Sequence, residues 1–213
     1  MKSIILIKIG ALGDVVRTSY LVNTLKRKFN YSITWITDKS SHELLKYNPN
    51  IDTLLYQDSK LPEEADILIC LEDQYEYVRL GNKIQSKRII GSYIDDNNNI
   101  KYTDDTKEWF DMSLISKLGI TAADNLKKNN LKSYNEIFSK ILNIQVSDIK
   151  PEFFYDEKDN NTLLENKSEN KVIGLNLFAG KRWPSKEIPM STVKPLLSSI
   201  SKYLDSKTID YSY

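Results

Sequence analysis

Apolar residues alternate between short continuous runs and helically spaced stripes along the first ninety or so positions. Residues 4–9 are almost wholly Ile and Leu, interrupted only by Lys8, the pattern of a strand buried on both faces of a parallel sheet. Gly10-Ala11-Leu12-Gly13 then makes a turn. Residues 14–29 place Val15, Leu21, Val22, Leu25 and Phe29 largely on one stripe, with Arg17, Lys26, Arg27 and Lys28 elsewhere. The same alternation predicts strands over 32–37, 53–56, 66–71 and 88–91, and helices over 40–47 and 75–84. Strands alternating with helices at this spacing predict an α/β fold with a doubly wound parallel sheet.

Beyond residue 94 the pattern changes. Residues 95–99 are Asp and Asn only and predict a solvated loop; 107–118 and 134–142 are helical by periodicity, separated by the polar Lys127-Lys128-Asn129-Asn130. Residues 156–170 are rich in Asp, Glu, Lys and Asn with little apolar content, which suits an interdomain linker. A buried strand over 171–177, a turn region over 178–189 and a helix over 190–203 follow. The expected division is a first domain over 1–165 and the beginning of a second over 171–213. One strand, one loop and one helix do not bury a core alone. That second part is therefore expected to dock on the first domain, or to be the front of a larger one.

Composition narrows the function classes. Of 213 residues 40% are hydrophobic and 28% charged, so the chain buries a core and wholesale disorder is excluded. The formal charge is +1, without the basic excess of a phosphate-neutralising protein, and nucleic acid is not an expected partner. One cysteine, Cys70, and one histidine, His42, exclude an internal disulfide and zinc-site spacings. The N-terminal apolar run is shorter than the roughly 7–15 residues of a signal peptide core. No stretch approaches the roughly 18 of a membrane span. A soluble, cytoplasmic protein is expected.

Two segments offer chemistry. Gly10-Ala11-Leu12-Gly13-Asp14 lies where the first strand passes into its helix, at the carboxyl edge where open α/β sheets bind ligands. It does not fit the G-x-G-x-x-G dinucleotide fingerprint. Position alone reads Asp14 first as a helix-start carboxylate favoured by the dipole, and second as a functional group. The other segment, 180–189, carries Lys181, Arg182 and Lys186 just beyond a predicted strand, as a solvated basic loop or as diphosphate ligands. His42 reads as a surface or capping residue, Cys70 as inert core, and Glu72-Asp73 as helix-start charges. Tyr75, Tyr77 and Leu80 read as packing.

Taken together and in this order, these segments resemble glycosyltransferase family 9, the heptosyltransferases of bacterial surface polysaccharide assembly. The resemblance lies in Ile-Leu-Ile-Lys-Ile-Gly-Ala-Leu-Gly-Asp-Val-Val over 5–16 with Thr18, in Ile-Thr-Trp-Ile over 33–36 with Asn48-Pro49 and Ile51-Asp52, and in 173–186. It implies a GT-B architecture, two Rossmann-like halves across a cleft. It also implies inverting, metal-independent transfer from a nucleotide-sugar, typically ADP-heptose, to an acceptor such as lipopolysaccharide core. The implied catalytic base is Asp14, with Gly10, Gly13 and Thr18 at the substrate. The implied donor-phosphate ligand is Lys186 or, in a competing alignment, Lys181; Ile188 stands where the family has tryptophan. The family's later Asp-Ser/Thr-Gly…His motif has no counterpart before Tyr213. The expectation is thus an acceptor half plus the rim of a donor half, weakly active or inactive unless a complementing chain supplies the rest. Implied partners are a nucleotide-sugar and a glycan or lipid-linked acceptor, with peripheral membrane contact and self-association as further expectations. A noncatalytic carbohydrate-binding or assembly module is the alternative, and an unrelated nucleotide-binding protein a third reading.

Overall fold

A computed structural model describes residues 2–156, 175–177 and 184–204. The chain divides into two compact units, 1–156 and 157–213. In the first unit the apolar runs become the parallel strands β1 (Ser3–Ile7), β2 (Ser32–Thr37), β3 (Thr53–Tyr56), β4 (Glu64–Cys70) and β5 (Gln85–Ile94). Between them run α1 (Leu12–Phe29), α2 (Lys39–Leu45) and α3 (Tyr75–Gly81). The strand order is β3-β2-β1-β4-β5-β6, where β6 is Ile100–Tyr102. From β1 the chain winds outward to β2 and β3, then returns to β4 and winds the other way. The first unit is therefore a Rossmann-like doubly wound sheet whose switch point lies between β1 and β4.

Alternate residues of β1 serve opposite faces, as strand geometry requires. Ile4 and Leu6 join Val15, Leu21, Val22 and Leu25 of α1 and Phe138 on one side. Ile5 and Ile7 join Val78 and Leu80 of α3 on the other. Helices cover both faces, and this explains why β1 and β4 read as unbroken apolar runs.

Several expectations are corrected. The sheet is not wholly parallel: β6 (Ile100–Tyr102) pairs antiparallel with β5. The 95–99 segment is the tight turn joining them, with Asp95 Oδ1 accepting from the Asn97 and Asn99 amides and Asn98 at φ 63°. The helix expected over 75–84 stops at Gly81, and β5 starts earlier than expected, at Gln85, whose amide bonds the Glu63 carbonyl. The helix expected over 107–118 lasts one turn, α4 (Lys107–Phe110). Ser113 then donates to the Phe110 carbonyl and accepts from the Ile115 amide, while Ser116 accepts from the Leu118 amide, so local side-chain bonds turn the chain. Gly119, at φ 84°, starts a helix that periodicity did not predict, α5 (Ile120–Asn129). The predicted helix over 134–142 forms as α6 (Tyr134–Leu142).

In the second unit the described residues are 175–177 and 184–204, which include a short 3₁₀ turn at Pro184–Lys186 and α7 (Met190–Leu204). The predicted helix is therefore present. Residues 175–177 have no strand, and the remainder of the expected strand, most of the expected linker and the 165/171 boundary lie outside the described residues.

Candidate functional site

The β1–α1 connection meets the β4–α3 connection at the switch point, and a buried ion pair joins them. Lys8 and Glu72 are both buried, with Lys8 Nζ 3.1 Å from Glu72 Oε1. The same carboxylate oxygen accepts from the Ile9 amide at 2.6 Å and from the Gly10 amide at 3.4 Å. Burial pushes the Glu72 carboxyl above its ordinary pKa, and the Lys8 ammonium pulls it back. The opposite side of this loop is held as well: Trp35 Nε1 donates to the Lys8 carbonyl at 2.9 Å and Ser41 Oγ to the Ile9 carbonyl at 3.1 Å. Ser92 Oγ donates to the Glu72 backbone carbonyl at 2.6 Å, tying β5 to the same corner. Residues 8–10 are clamped from both sides. Glu72 is thus a loop-holding group and not a helix-start charge.

From that clamped base the chain emerges into solvent. Ala11, Leu12 and Gly13 are exposed. A Cβ built on Gly10 or Gly13 meets nothing within 4 Å, and neither glycine has positive φ. Neither packing nor backbone conformation demands glycine at these two positions, so both leave room in front of the loop. Among the described residues the Leu12 and Gly13 amides have no acceptor, as expected at a helix start.

Asp14 stands in the first turn of α1. The N-cap is Ala11, and the helix has no side-chain cap. The Asp14 carboxylate therefore bonds no local amide; it pairs with Arg17 one turn on, and its side chain is 36% exposed. Arg17 lies over the ring of Tyr134, its guanidinium carbon 4.7 Å from the centroid. Tyr134 in turn packs against Trp109 and Phe138, with ring centroids 5.1 Å and 4.5 Å away. The aromatic cluster of α4 and α6 thus supports the arginine that holds the carboxylate.

Thr18 is not at the open surface. It is buried, its hydroxyl donates to the Asp14 carbonyl at 2.7 Å, and the Tyr134 hydroxyl lies at 2.7 Å as the donor to Thr18. Burial raises the Tyr134 phenol pKa and keeps that proton in place. In this arrangement Thr18 braces the start of α1 and offers no free hydroxyl to a substrate. Cys70 is buried, with its thiol pushed up to about 11 by desolvation, in keeping with an inert core residue. His42, a half-buried residue of α2, packs against Tyr56 with centroids 5.2 Å apart. Lys186 lies in the 3₁₀ turn of the second unit and is exposed; Lys181 lies outside the described residues. A surface hollow bordered by Gln57, Asp58, Pro62 and Lys83 includes none of the predicted site residues.

Lys8, Arg17, Glu72 and Tyr134 are what sequence reasoning missed. A lone lysine inside an apolar run is the one signal that pointed to a buried partner. Arg17 and Tyr134 are far apart in sequence, so nothing in the pattern joined them.

No protein-family model and no curated protein matches the chain. Among solved structures it is similar to a family 9 glycosyl transferase from Veillonella parvula DSM 2008, with 26% identity over 42% of this chain and 31% of that one and a TM-score of 0.38. It is similar also to the E. coli heptosyltransferase WaaC with ADP, at 10% identity over 67% of this chain and 48% of that one, TM-score 0.43. The same enzyme with ADP-2-deoxy-2-fluoro heptose matches at 10% identity over 67% and 49%, TM-score 0.40. The matched region spans between 31% and 49% of those chains.

Proposed function

We propose that the first unit is the acceptor side of a metal-independent, inverting sugar transferase in which Asp14 is the general base. The observation that carries the reading is the state of the Asp14 carboxylate: partly exposed, unused in capping, held by Arg17, and next to two glycines with open space before them. The motif resemblance of residues 5–18 and 173–186 supplies the reaction class. An acceptor hydroxyl entering over Gly10 and Gly13 would lose its proton to Asp14 as its oxygen attacks the anomeric carbon of the donor. The bond from that carbon to the nucleoside diphosphate breaks, and the departing diphosphate carries the electron pair. Lys186 and Lys181 are the proposed cations for that charge. Arg17 restrains the base without burying it, and the Glu72 clamp fixes the loop from which it projects. By the same resemblance the donor is a nucleotide-sugar of the ADP-heptose type and the acceptor a cell-surface glycan such as lipopolysaccharide core.

The test compares wild type with Asp14→Asn, each supplied with a complementing chain that carries the donor half, measuring ADP release from ADP-heptose with a core glycan acceptor, alongside acceptor binding by calorimetry. Turnover should fall by about 10²-fold or more while binding stays within error. Acceptor binding with no Asp14-dependent turnover would assign the noncatalytic carbohydrate-binding role instead.

A further inference from the structure

We infer that the group admitted over the Gly10–Gly13 loop is an uncharged sugar, selected by a border of half-used carboxylates that turns away phosphate and carboxyl substituents. The inference rests on the transferase reading for the place of entry and goes beyond it in fixing the chemistry of the acceptor. Three connections converge at that loop. Ser41 Oγ, in the first turn of α2, donates to the Ile9 carbonyl, and Glu72 Oε1 accepts from the Ile9 and Gly10 amides. Asp38 caps α2, its Oδ1 accepting from the Ser41 amide at 2.7 Å and from the Ser40 hydroxyl at 2.8 Å. Asp14 and Glu72 are engaged in the same one-sided way, through Oδ1 to Arg17 and through Oε1 to Lys8 and the two amides. Among the described residues the second oxygen of each of these three carboxylates accepts no hydrogen bond.

Thr37, the residue before Asp38, adds an independent sign. It is wholly buried, and its hydroxyl has no hydrogen-bond partner among the described residues. Strand alternation puts it on the face of β2 that Ile33 and Trp35 share with α1, at the end of the strand where that helix begins. A buried hydroxyl without a partner is a cost that the free protein carries and a bound sugar hydroxyl would remove. Charge then limits what can enter. Lys8 is committed to Glu72 and Arg17 to Asp14. Lys39, exposed at the start of α2, is the remaining cation of residues 8–17, 37–41 and 71–77, against Asp14, Asp38, Glu72, Asp73 and Glu76. Burial, followed by the Glu76, Glu72 and Asp38 carboxylates, raises the Tyr77 phenol, so this half-buried hydroxyl keeps its proton among the same groups. Sugar hydroxyls donate to the second carboxylate oxygens in charge-assisted bonds. An anionic substituent beside the reacting hydroxyl meets like charge instead.

The experiment is calorimetric titration of the full chain with a neutral heptosyl disaccharide and with the same disaccharide carrying a phosphate monoester, in low and high salt. No sugar donor is present, so the readout is binding alone and is separate from the Asp14→Asn turnover test. In low salt the neutral glycan should bind about tenfold or more tightly than its phosphorylated form, and high salt should narrow that preference. Asp38→Asn should narrow it as well, because asparagine caps a helix as aspartate does and carries no charge. Thr37→Val should weaken binding of the neutral glycan by about threefold to tenfold while its melting temperature stays unchanged or rises. A role in folding alone would move the melting temperature and leave binding untouched. Failure of both glycans to bind, or variants that match wild type in binding, would overturn the proposal. Equal or tighter binding of the phosphorylated glycan would overturn it too, yet leave Asp14 standing as the base. A neutral preference that persists where Asp14→Asn has no effect on turnover would uphold it and remove only the base.

Discussion

At Gly91 a side chain would be driven into the Cys70 carbonyl of the neighbouring strand, and φ is +107°, a region that only glycine enters without strain. Gly13 carries neither constraint, since a Cβ there meets open space inside α1. The two glycines therefore predict opposite outcomes. Gly91→Ala should cost about 3 kcal/mol or more in urea unfolding. Gly13→Ala should leave stability unchanged or raise it by up to about 1 kcal/mol, because alanine is the better helix former. Equal effects at the two sites would contradict this division between a structural glycine and one kept for an approaching group. Asp14 was legible as a residue of interest in the strand–turn–helix pattern. Its partner Arg17 was not, since an arginine one turn along a helix is a common surface feature.

Single side chains also decide where elements begin. Ser133 accepts from the Glu136 amide while Glu136 accepts from the Ser133 amide, a reciprocal cap that starts α6 with Tyr134 as its first residue. Ser133→Ala should cost about 1 kcal/mol. In hydrogen exchange the loss should show first in the opening turn of α6, loosening Tyr134 beneath Arg17. Uniform loss of protection across the sheet would instead assign Ser133 a role beyond this cap. The elements that were readable from sequence are those buried on a full face: β1, β2, β4, α1 and α6 declare themselves by apolar periodicity. The unreadable ones owe their form to partners distant in sequence or to short-range polar bonds. β6 is three residues held by pairing with β5. The break after α4 depends on serine hydroxyls, and on Tyr102, whose hydroxyl accepts from the Lys117 amide at 2.8 Å. Glu72 looked like a helix-start charge because its burial is created by the loop packed over it.

The unit as a whole is laced at the amino edge of the sheet by Asp66. Its Oδ2 accepts from the Ser3 amide at 2.8 Å and its Oδ1 from Lys87 Nζ at 2.6 Å, joining β1, β4 and β5. Lys87, with the Ser3 amide next, lowers the Asp66 carboxyl from 3.8 to about 2. A carboxyl with a depressed folded pKa stabilises the fold above its unfolded value, and that contribution disappears as pH falls through the folded one. Thermal stability should thus decline between pH 3.8 and about 2, and Asp66→Asn should flatten this part of the acid limb. An unaltered limb in the variant would remove Asp66 as its source.

The Lys8–Glu72 pair constrains how this protein can change over generations. Removing either partner strands an unmatched charge in the interior, at a cost of about 3–5 kcal/mol. Losing the carboxylate also deprives the Ile9 and Gly10 amides of their acceptor. Replacement one residue at a time passes through a crippled ancestor, so the lysine in the first strand's wake and the glutamate some sixty positions later should change only together.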